Sequence, residues 1–170
     1  MERSVYYLFQ ITSIFENLTD LKLKICDIPF DAFVNIGKTL PNLKVLSLDN
    51  INLIKSNTNN ISTEDIVFPS SLSYLKIFSV YVVSIRSLSD SYMFLFNREK
   101  ERYIYENFDL HKISLPSLKR LDFLPNGNGH RGLEEFLETN HNLEFLYTRM
   151  YKLNITSSLK SLKSLNIDDK

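Results

Sequence analysis

Apolar residues recur along this chain in one fixed pattern. They stand at relative offsets of 0, 3, 5, 8 and 10, with polar residues at most positions between them. Full copies cover residues 18–28, 43–53 and 72–82, and weaker or truncated copies begin at Leu118, Leu143 and Leu162. The alternation inside each copy, as at 21–23 and 46–48, has the period of a strand that is buried on one face. The pattern therefore predicts about six short strands in a common register.

Helical segments are predicted to connect some of these strands. The stretch from Phe30 to Leu40 follows Pro29, precedes Pro41 and has apolar residues near helical spacing, which indicates a helix. A shorter helix is predicted over 133–139. One repeat therefore consists of a strand, a turn and a helix in about 25 residues.

Three segments depart from the repeat. Residues 84–112 form an insertion or a degenerate repeat, for which the sequence allows a hairpin of 92–96 with 103–105 or, as the favoured interpretation, an amphipathic helix over 98–107. Residues 55–63, rich in Asn and Ser, predict a surface loop. An amphipathic helix is expected from Val5 to Phe15.

The repeat resembles that of the leucine-rich repeat family, L-x-x-L-x-L-x-x-(N/C)-x-L, over roughly residues 18–168. Cys26 and Asn126 match the polar signature position, whereas Ile51, Val80 and Tyr151 depart from it. The resemblance implies an α/β fold: an open solenoid with a curved, mostly parallel sheet of about six strands and with helices and loops on its convex side. A single domain, 1–170, is expected, with an N-terminal helix in 1–17, repeats in 18–83, the insertion in 84–112 and repeats in 113–170.

In such a solenoid the side chains between the leucines lie on the concave face. Alignment of the copies assigns to this face Asp20, Lys22, Lys24, Val45, Ser47, Asp49, Tyr74, Lys76, Phe78, Arg120, Asp122, Leu124, Phe145, Tyr147 and Arg149. Tyr and Arg are the residue types that dominate protein-protein interfaces. The predicted partner-binding residues are Tyr74, Lys76, Phe78, Arg120, Asp122, Phe145, Tyr147 and Arg149. The alternative is that these aromatics reflect strand propensity and that the insertion covers them.

Composition narrows the classes of partner and compartment. The chain has 20 basic and 20 acidic residues, so no overall field attracts a nucleic acid or an anionic membrane, and neither is expected as a partner. A single cysteine excludes an intrachain disulfide and is typical of a cytoplasmic or nuclear protein. No apolar run is long enough to predict a membrane span.

Residues with catalytic or ligand-binding potential do not form a recognisable site in the sequence. The segment 127–132 reads G-x-G-x-x-G, but the short helix after it and the intervening Pro125 favour a loop over a dinucleotide site. The three histidines lack metal-ligand spacing. Acidic residues at 134, 135 and 138 fit the first turns of a helix, and Cys26 has no basic partner nearby in sequence. No cofactor, metal or catalytic residue is therefore expected.

The sequence thus favours a non-catalytic module for protein-protein interaction. Its irregular repeats resemble the substrate-recognition tails of F-box-like ubiquitin-ligase receptors, which implies a comparable role. Residues 68–75 resemble one unit of FNIP-type repeats. Two alternatives stay open: a nucleotide- or anion-binding protein that uses the 127–132 loop, and a structural fragment of a larger repeat protein.

Overall fold

The computed structural model describes residues 4–5, 15, 17–56, 60–85, 103–125, 132–149 and 160–168. In this part of the chain the strands are β1 (Ser4–Val5), β2 (Asp20–Pro29), β3 (Val45–Ser56), β4 (Tyr74–Phe78), β5 (Tyr81–Ile85), β6 (Tyr103–Asn107), β7 (Arg120–Leu124), β8 (Phe145–Thr148) and β9 (Ser164–Ile167). The helices are α1 (Phe30–Val34), α2 (Ile36–Thr39) and α3 (Leu133–Thr139), with a 3-10 helix at Thr63–Asp65.

All nine strands belong to one sheet, whose main path is a curled half-barrel of seven strands. The order along this path is β1-β2-β3-β4-β7-β8-β9, and neighbouring strands on it are parallel. Corresponding residues of the six repeat copies are direct neighbours, beginning with the row Asp20, Val45, Tyr74, Arg120, Phe145 and Ser164. The strands predicted from the apolar pattern therefore lie side by side in the predicted register.

The sheet is mixed, because β6 runs antiparallel to β5. Tyr103–Asn107 is a strand, so the favoured helix over 98–107 is wrong. Its partner is Tyr81–Ile85, whereas the predicted hairpin strand 92–96 lies outside the described residues. Tyrosines favour strands, and the rings of Tyr81 and Tyr105 meet edge to face with centroids 5.9 Å apart.

Three successive repeats bend at the same position, where one residue adopts the left-handed backbone conformation. This bend is here called the left-handed corner. Ile25, Asn50 and Ser79 have φ values of 52°, 59° and 52°, and each stands seven residues after the first leucine of its copy. Strands β2 and β3 pass through this corner, whereas β4 and β5 are separated by it. The fourth copy has Pro125 there, whose ring fixes φ near −65° and forbids the corner, and β7 ends one residue earlier at Leu124.

The core fills the space between the inner face of the sheet and the helices. Leu46, Leu75 and Leu121 are fully buried from the sheet side, and Phe33 and Phe136 are fully buried from the helix side. Burial of this apolar surface is the main source of stability for such a fold.

The helix predicted over 30–40 is two short helices that meet at Asn35. The backbone of Val67 causes the break: its N–H donates to the Val34 carbonyl at 2.8 Å, and its carbonyl accepts from the Gly37 N–H at 2.6 Å. These hydrogen bonds replace part of the intrahelical ladder. Helix α3 has the predicted bounds, 133–139.

Two other predicted segments differ from the structure at their ends. Ser4–Val5 is a strand that pairs with Cys26 and Asp27, so the expected helix does not begin at Val5, and 6–14 lie outside the described residues. The predicted 55–63 loop begins later, since β3 continues to Ser56. In the described ranges, no helix has the length and apolar character that crossing a membrane requires.

Candidate functional site

The outward side of the six parallel repeat strands, β2, β3, β4, β7, β8 and β9, is here called the open face. Strand alternation creates it: Tyr74, Lys76 and Phe78 are half-buried and alternate with the fully buried Leu75 and Ile77. All eight predicted partner-binding residues belong to it, on β4, β7 and β8 or, for Arg149, directly after β8. The structure therefore brings the predicted residues together on three adjacent strands.

Asp122 organises the centre of the open face. Its carboxylate accepts a hydrogen bond from the Tyr74 hydroxyl at 2.6 Å and two from Arg120, from Nε at 3.0 Å and from Nη2 at 3.1 Å. The Arg120 guanidinium also stacks over the Tyr74 ring, 4.8 Å from its centroid. Asp122 is buried, and a buried carboxylate is tolerated when its oxygens are paired in this way. The result is a Tyr-Asp-Arg cluster that fixes two large side chains.

Burial and Asp122 raise the pKa of Tyr74 to about 12 from 10.0. Desolvation is the largest cause, followed by the hydrogen bond to the Asp122 carboxylate and by its negative charge, whereas the Arg120 charge acts in the opposite direction. The hydroxyl therefore remains a proton donor to Asp122 throughout the physiological range.

This shift predicts a pH-dependent stability. Because the folded protein holds the Tyr74 proton more tightly than the unfolded chain, the stabilisation is complete below pH 10.0 and is lost as the pH rises to about 12. We expect wild type to lose about 1 kcal/mol more than Tyr74→Phe across this interval, after allowance for solvent screening. Urea unfolding of both proteins along a pH series measures the difference. Parallel stability curves would show that Tyr74 is not held by Asp122.

A second cluster of the same chemistry lies at the neighbouring edge of the face. Asp168, directly after β9, accepts hydrogen bonds from Arg149 Nε at 3.2 Å and, more weakly, from the Tyr147 hydroxyl at 3.4 Å. Asp168 is not among the residues predicted for this face, because the copy that begins at Leu162 is truncated. Extension of the alignment by one residue assigns Asp168 to the row of Asp49 and Phe78.

Cations of the open face border the ring of Phe78. Lys76 Nζ and Arg149 Cζ are each 5.8 Å from the ring centroid, at the outer limit of cation–π distance. Phe145, by contrast, is 42% exposed. The open face therefore combines held Tyr and Arg side chains with one solvent-exposed aromatic ring.

The other candidates from the sequence do not form a site in the described residues. Of the 127–132 segment the structure describes only Gly132, which precedes the seven-residue helix α3 and packs against Asp109. The carboxylates of Asp109, Glu134 and Glu135 at this end of the helix disfavour an anion. His111 pairs with Glu135. Cys26 is buried in β2, and no group of three or more His, Cys, Asp or Glu in the described ranges could hold a metal ion. Asn126, the second predicted signature residue, lies outside those ranges.

A cleft of about 190 Å³ lies away from the open face. Its lining is mostly polar and charged and comprises Phe30, Lys55, Ser62, Thr63, Glu64, Val82, Glu106, Asn107 and Asp109. Lys55 Nζ donates a hydrogen bond to the Ile61 carbonyl, and Glu64 pairs with Lys112 at 3.2 Å. The cleft lacks the apolar lining with a few convergent polar groups that is typical of small-molecule sites.

Comparison of the chain with protein-family models, with curated proteins and with solved structures finds no match in any of the three. Function must therefore be inferred from the chemistry of the open face.

Proposed function

We propose that this chain is a short solenoid of the leucine-rich-repeat type and that its open face binds a partner protein without catalysis. The observation that carries the proposal is the Tyr-Asp-Arg cluster of Tyr74, Asp122 and Arg120, held by three hydrogen bonds on an accessible sheet face. The common register of the six repeat strands supports the solenoid.

Pre-organised side chains favour binding because less conformational entropy is lost when a partner docks. Arg120 and Arg149 are each anchored through Nε on a carboxylate, which leaves guanidinium N–H groups for a partner. Tyr, Phe and Arg bury large areas and are the residue types enriched at interface hot spots. The open face therefore has the composition and the rigidity of a recognition surface.

The size of the face indicates how much of a partner it can contact. Six strands at a spacing of about 4.8 Å and three outward rows per strand give roughly 600 Å². A standard interface buries about 800 Å² on each partner. The open face thus fits a short segment or a small patch of another protein.

Phe145→Ala is expected to weaken partner binding strongly while leaving the fold intact. The ring is only partly buried, so its loss should lower the free energy of unfolding by about 1–2 kcal/mol, which leaves the protein folded. Removal of an exposed aromatic anchor from an interface weakens binding by about 2 kcal/mol or more, which is roughly thirtyfold. Proximity labelling and affinity purification with the wild-type and variant proteins measure the change.

Tyr105→Ala is the matched control. Tyr105 is also an exposed aromatic residue on a strand, 57% accessible, but it belongs to β6 and lies outside the open face. We expect partners that Tyr105→Ala retains and Phe145→Ala loses. Identical partner lists for wild type and a folded Phe145→Ala would refute the open face as the binding surface.

A further inference from the structure

The ion pairs of the open face present their positive members to solvent. The exposed fractions of cation and carboxylate side chains are 71% and 20% for Lys24–Asp49, 51% and 7% for Arg120–Asp122, and 39% and 20% for Arg149–Asp168. A carboxylate that lies beneath its cation contributes less to the potential a partner meets, because the partner approaches the cation first. The face is therefore more positive than its formal charge suggests.

The exposure of carboxylates in other ion pairs supports this interpretation: the carboxylate at the rim of the open face is covered, and those away from the face are more exposed. At the rim, Glu144 is 22% exposed between Lys119 and Lys163, which are 50% and 66% exposed. Away from the face, the carboxylates of Glu64 and Glu135 are 43% and 56% exposed in their pairs with Lys112 and His111. A long lysine side chain could cover its carboxylate partner in any ion pair, but the Glu64 carboxylate beside Lys112 is well exposed. The low exposure of the open-face carboxylates therefore has another cause.

Two further lysines add positive charge against one further carboxylate of the face, that of the exposed Asp20 on β2. Lys22 and Lys76 are in the same row of the sheet, on either side of Ser47. Among the ion pairs between described residues, neither lysine takes part. Two strand spacings separate them, about 10 Å, which suits two acidic side chains of one bound segment.

The aromatic rings offer little stacking surface to a nucleic acid, because Phe145 is the only aromatic ring of the described open face that is exposed. Single strands bind by stacking bases on open ring faces. The face of Tyr74 is covered by Arg120, and Lys76 and Arg149 border the ring of Phe78. A base would have to displace these cations before it could stack. Carboxylates can instead pair with the cations where they stand.

We propose that the open face binds an acidic segment of a partner protein, an inference that rests on the proposed protein-binding function of that face. Its carboxylates pair with Lys22, Lys76 and the remaining guanidinium N–H groups of Arg120 and Arg149. An apolar side chain of the segment contacts Phe145. The small area of the face matches a short extended segment, and the positive charge that the face presents matches an acidic one.

A display library of random peptides tests the proposal on the full chain. Peptides of about 12 residues are long enough to cross the six strands. Selection on wild type should enrich Asp and Glu over the starting library. For synthetic copies of the selected peptides, Lys76→Glu should weaken binding about tenfold, and added salt should weaken it further.

Lys38→Glu is the matched control, because Lys38 is an exposed lysine on α2 rather than on the open face. It should change the affinity by less than about twofold. Peptides that need Phe145 but show no acidic enrichment would overturn the acidic segment and leave protein binding standing. A selection that yields no Phe145-dependent peptide would count against both proposals. Tighter binding of a labelled single-stranded oligothymidylate, lost in Lys76→Glu, would overturn the proposal in favour of nucleic acid.

Discussion

Asn140→Ala is expected to lower the free energy of unfolding by about 3–5 kcal/mol. Asn140 is 2% exposed and serves three backbone groups. Its Nδ2 donates to the carbonyls of Phe136 at 2.7 Å and Ile113 at 3.0 Å, and its Oδ1 accepts from the Leu115 N–H at 2.5 Å. Alanine would leave the Ile113 carbonyl and the Leu115 N–H without these partners, at about 1–3 kcal/mol each, whereas the Phe136 carbonyl keeps the hydrogen bond from the backbone N–H of residue 140 at 3.0 Å. Urea unfolding measures the loss.

Asn142→Ala is the matched control, two residues further on. Asn142 is exposed and donates a single hydrogen bond to the Pro116 carbonyl at 3.0 Å. Water replaces that bond easily, so the expected loss is below about 1 kcal/mol. Equal effects of the two substitutions would show that Asn140 does not hold the segment before β7 against α3.

The destabilisation caused by Asn140→Ala should extend to the open face. Asn140 connects the end of α3 to residues 113–115, which lead into β7. Strand β7 in turn positions Arg120 and Asp122. A polar residue in the core thus fixes the strand on which the central cluster of the open face depends.

The strand register was predictable because the apolar pattern reports burial directly. A shift by one residue would expose Leu46, Leu75 and Leu121, and a shift by two would break the match of the five-position apolar pattern between copies. The outward residues follow from the same alignment without any further information. This is why the eight predicted residues of the open face lie on adjacent strands.

Whether residues 103–107 form a helix or a strand was not predictable from local sequence. Alternation and helix-compatible residues coexist there, and the choice depends on pairing with Tyr81–Ile85, some twenty residues earlier in the chain. The break between α1 and α2 likewise depends on hydrogen bonds to Val67. Propensity is a weak guide wherever a distant segment supplies the partner.

The polar contacts of the site were predictable only in part. The sequence places Tyr74, Arg120 and Asp122 on one face, but their mutual hydrogen bonds depend on rotamers. Similarly, nothing in the local sequence distinguishes the buried Asn140 from the exposed Asn142. Burial of a polar residue is set by the packing around it and is not visible in the apolar pattern.

Gly37→Ala is expected to destabilise the fold by about 2–4 kcal/mol, although glycine to alanine in a helix usually stabilises it by about 1 kcal/mol. A Cβ at this position of α2 would lie 2.5 Å from the Phe68 carbonyl carbon and 2.6 Å from the carbonyl oxygens of Val67 and Phe68. These are backbone atoms and cannot rotate away. Relief requires a shift of 67–68, which would strain the hydrogen bonds of Val67 to Val34 and Gly37.

Lys38→Ala separates this steric effect from a general sensitivity of α2. Lys38 is the next residue of the same helix, and its side chain is exposed, so the expected change is within about 0.5 kcal/mol. Urea unfolding compares the two variants, and amide hydrogen exchange at Val67 and Gly37 reports whether their backbone hydrogen bonds open. Faster exchange at both amides in Gly37→Ala alone is the expected result. Unchanged or increased stability of Gly37→Ala would mean that 67–68 does not pack on α2, and the break between α1 and α2 would then need another cause.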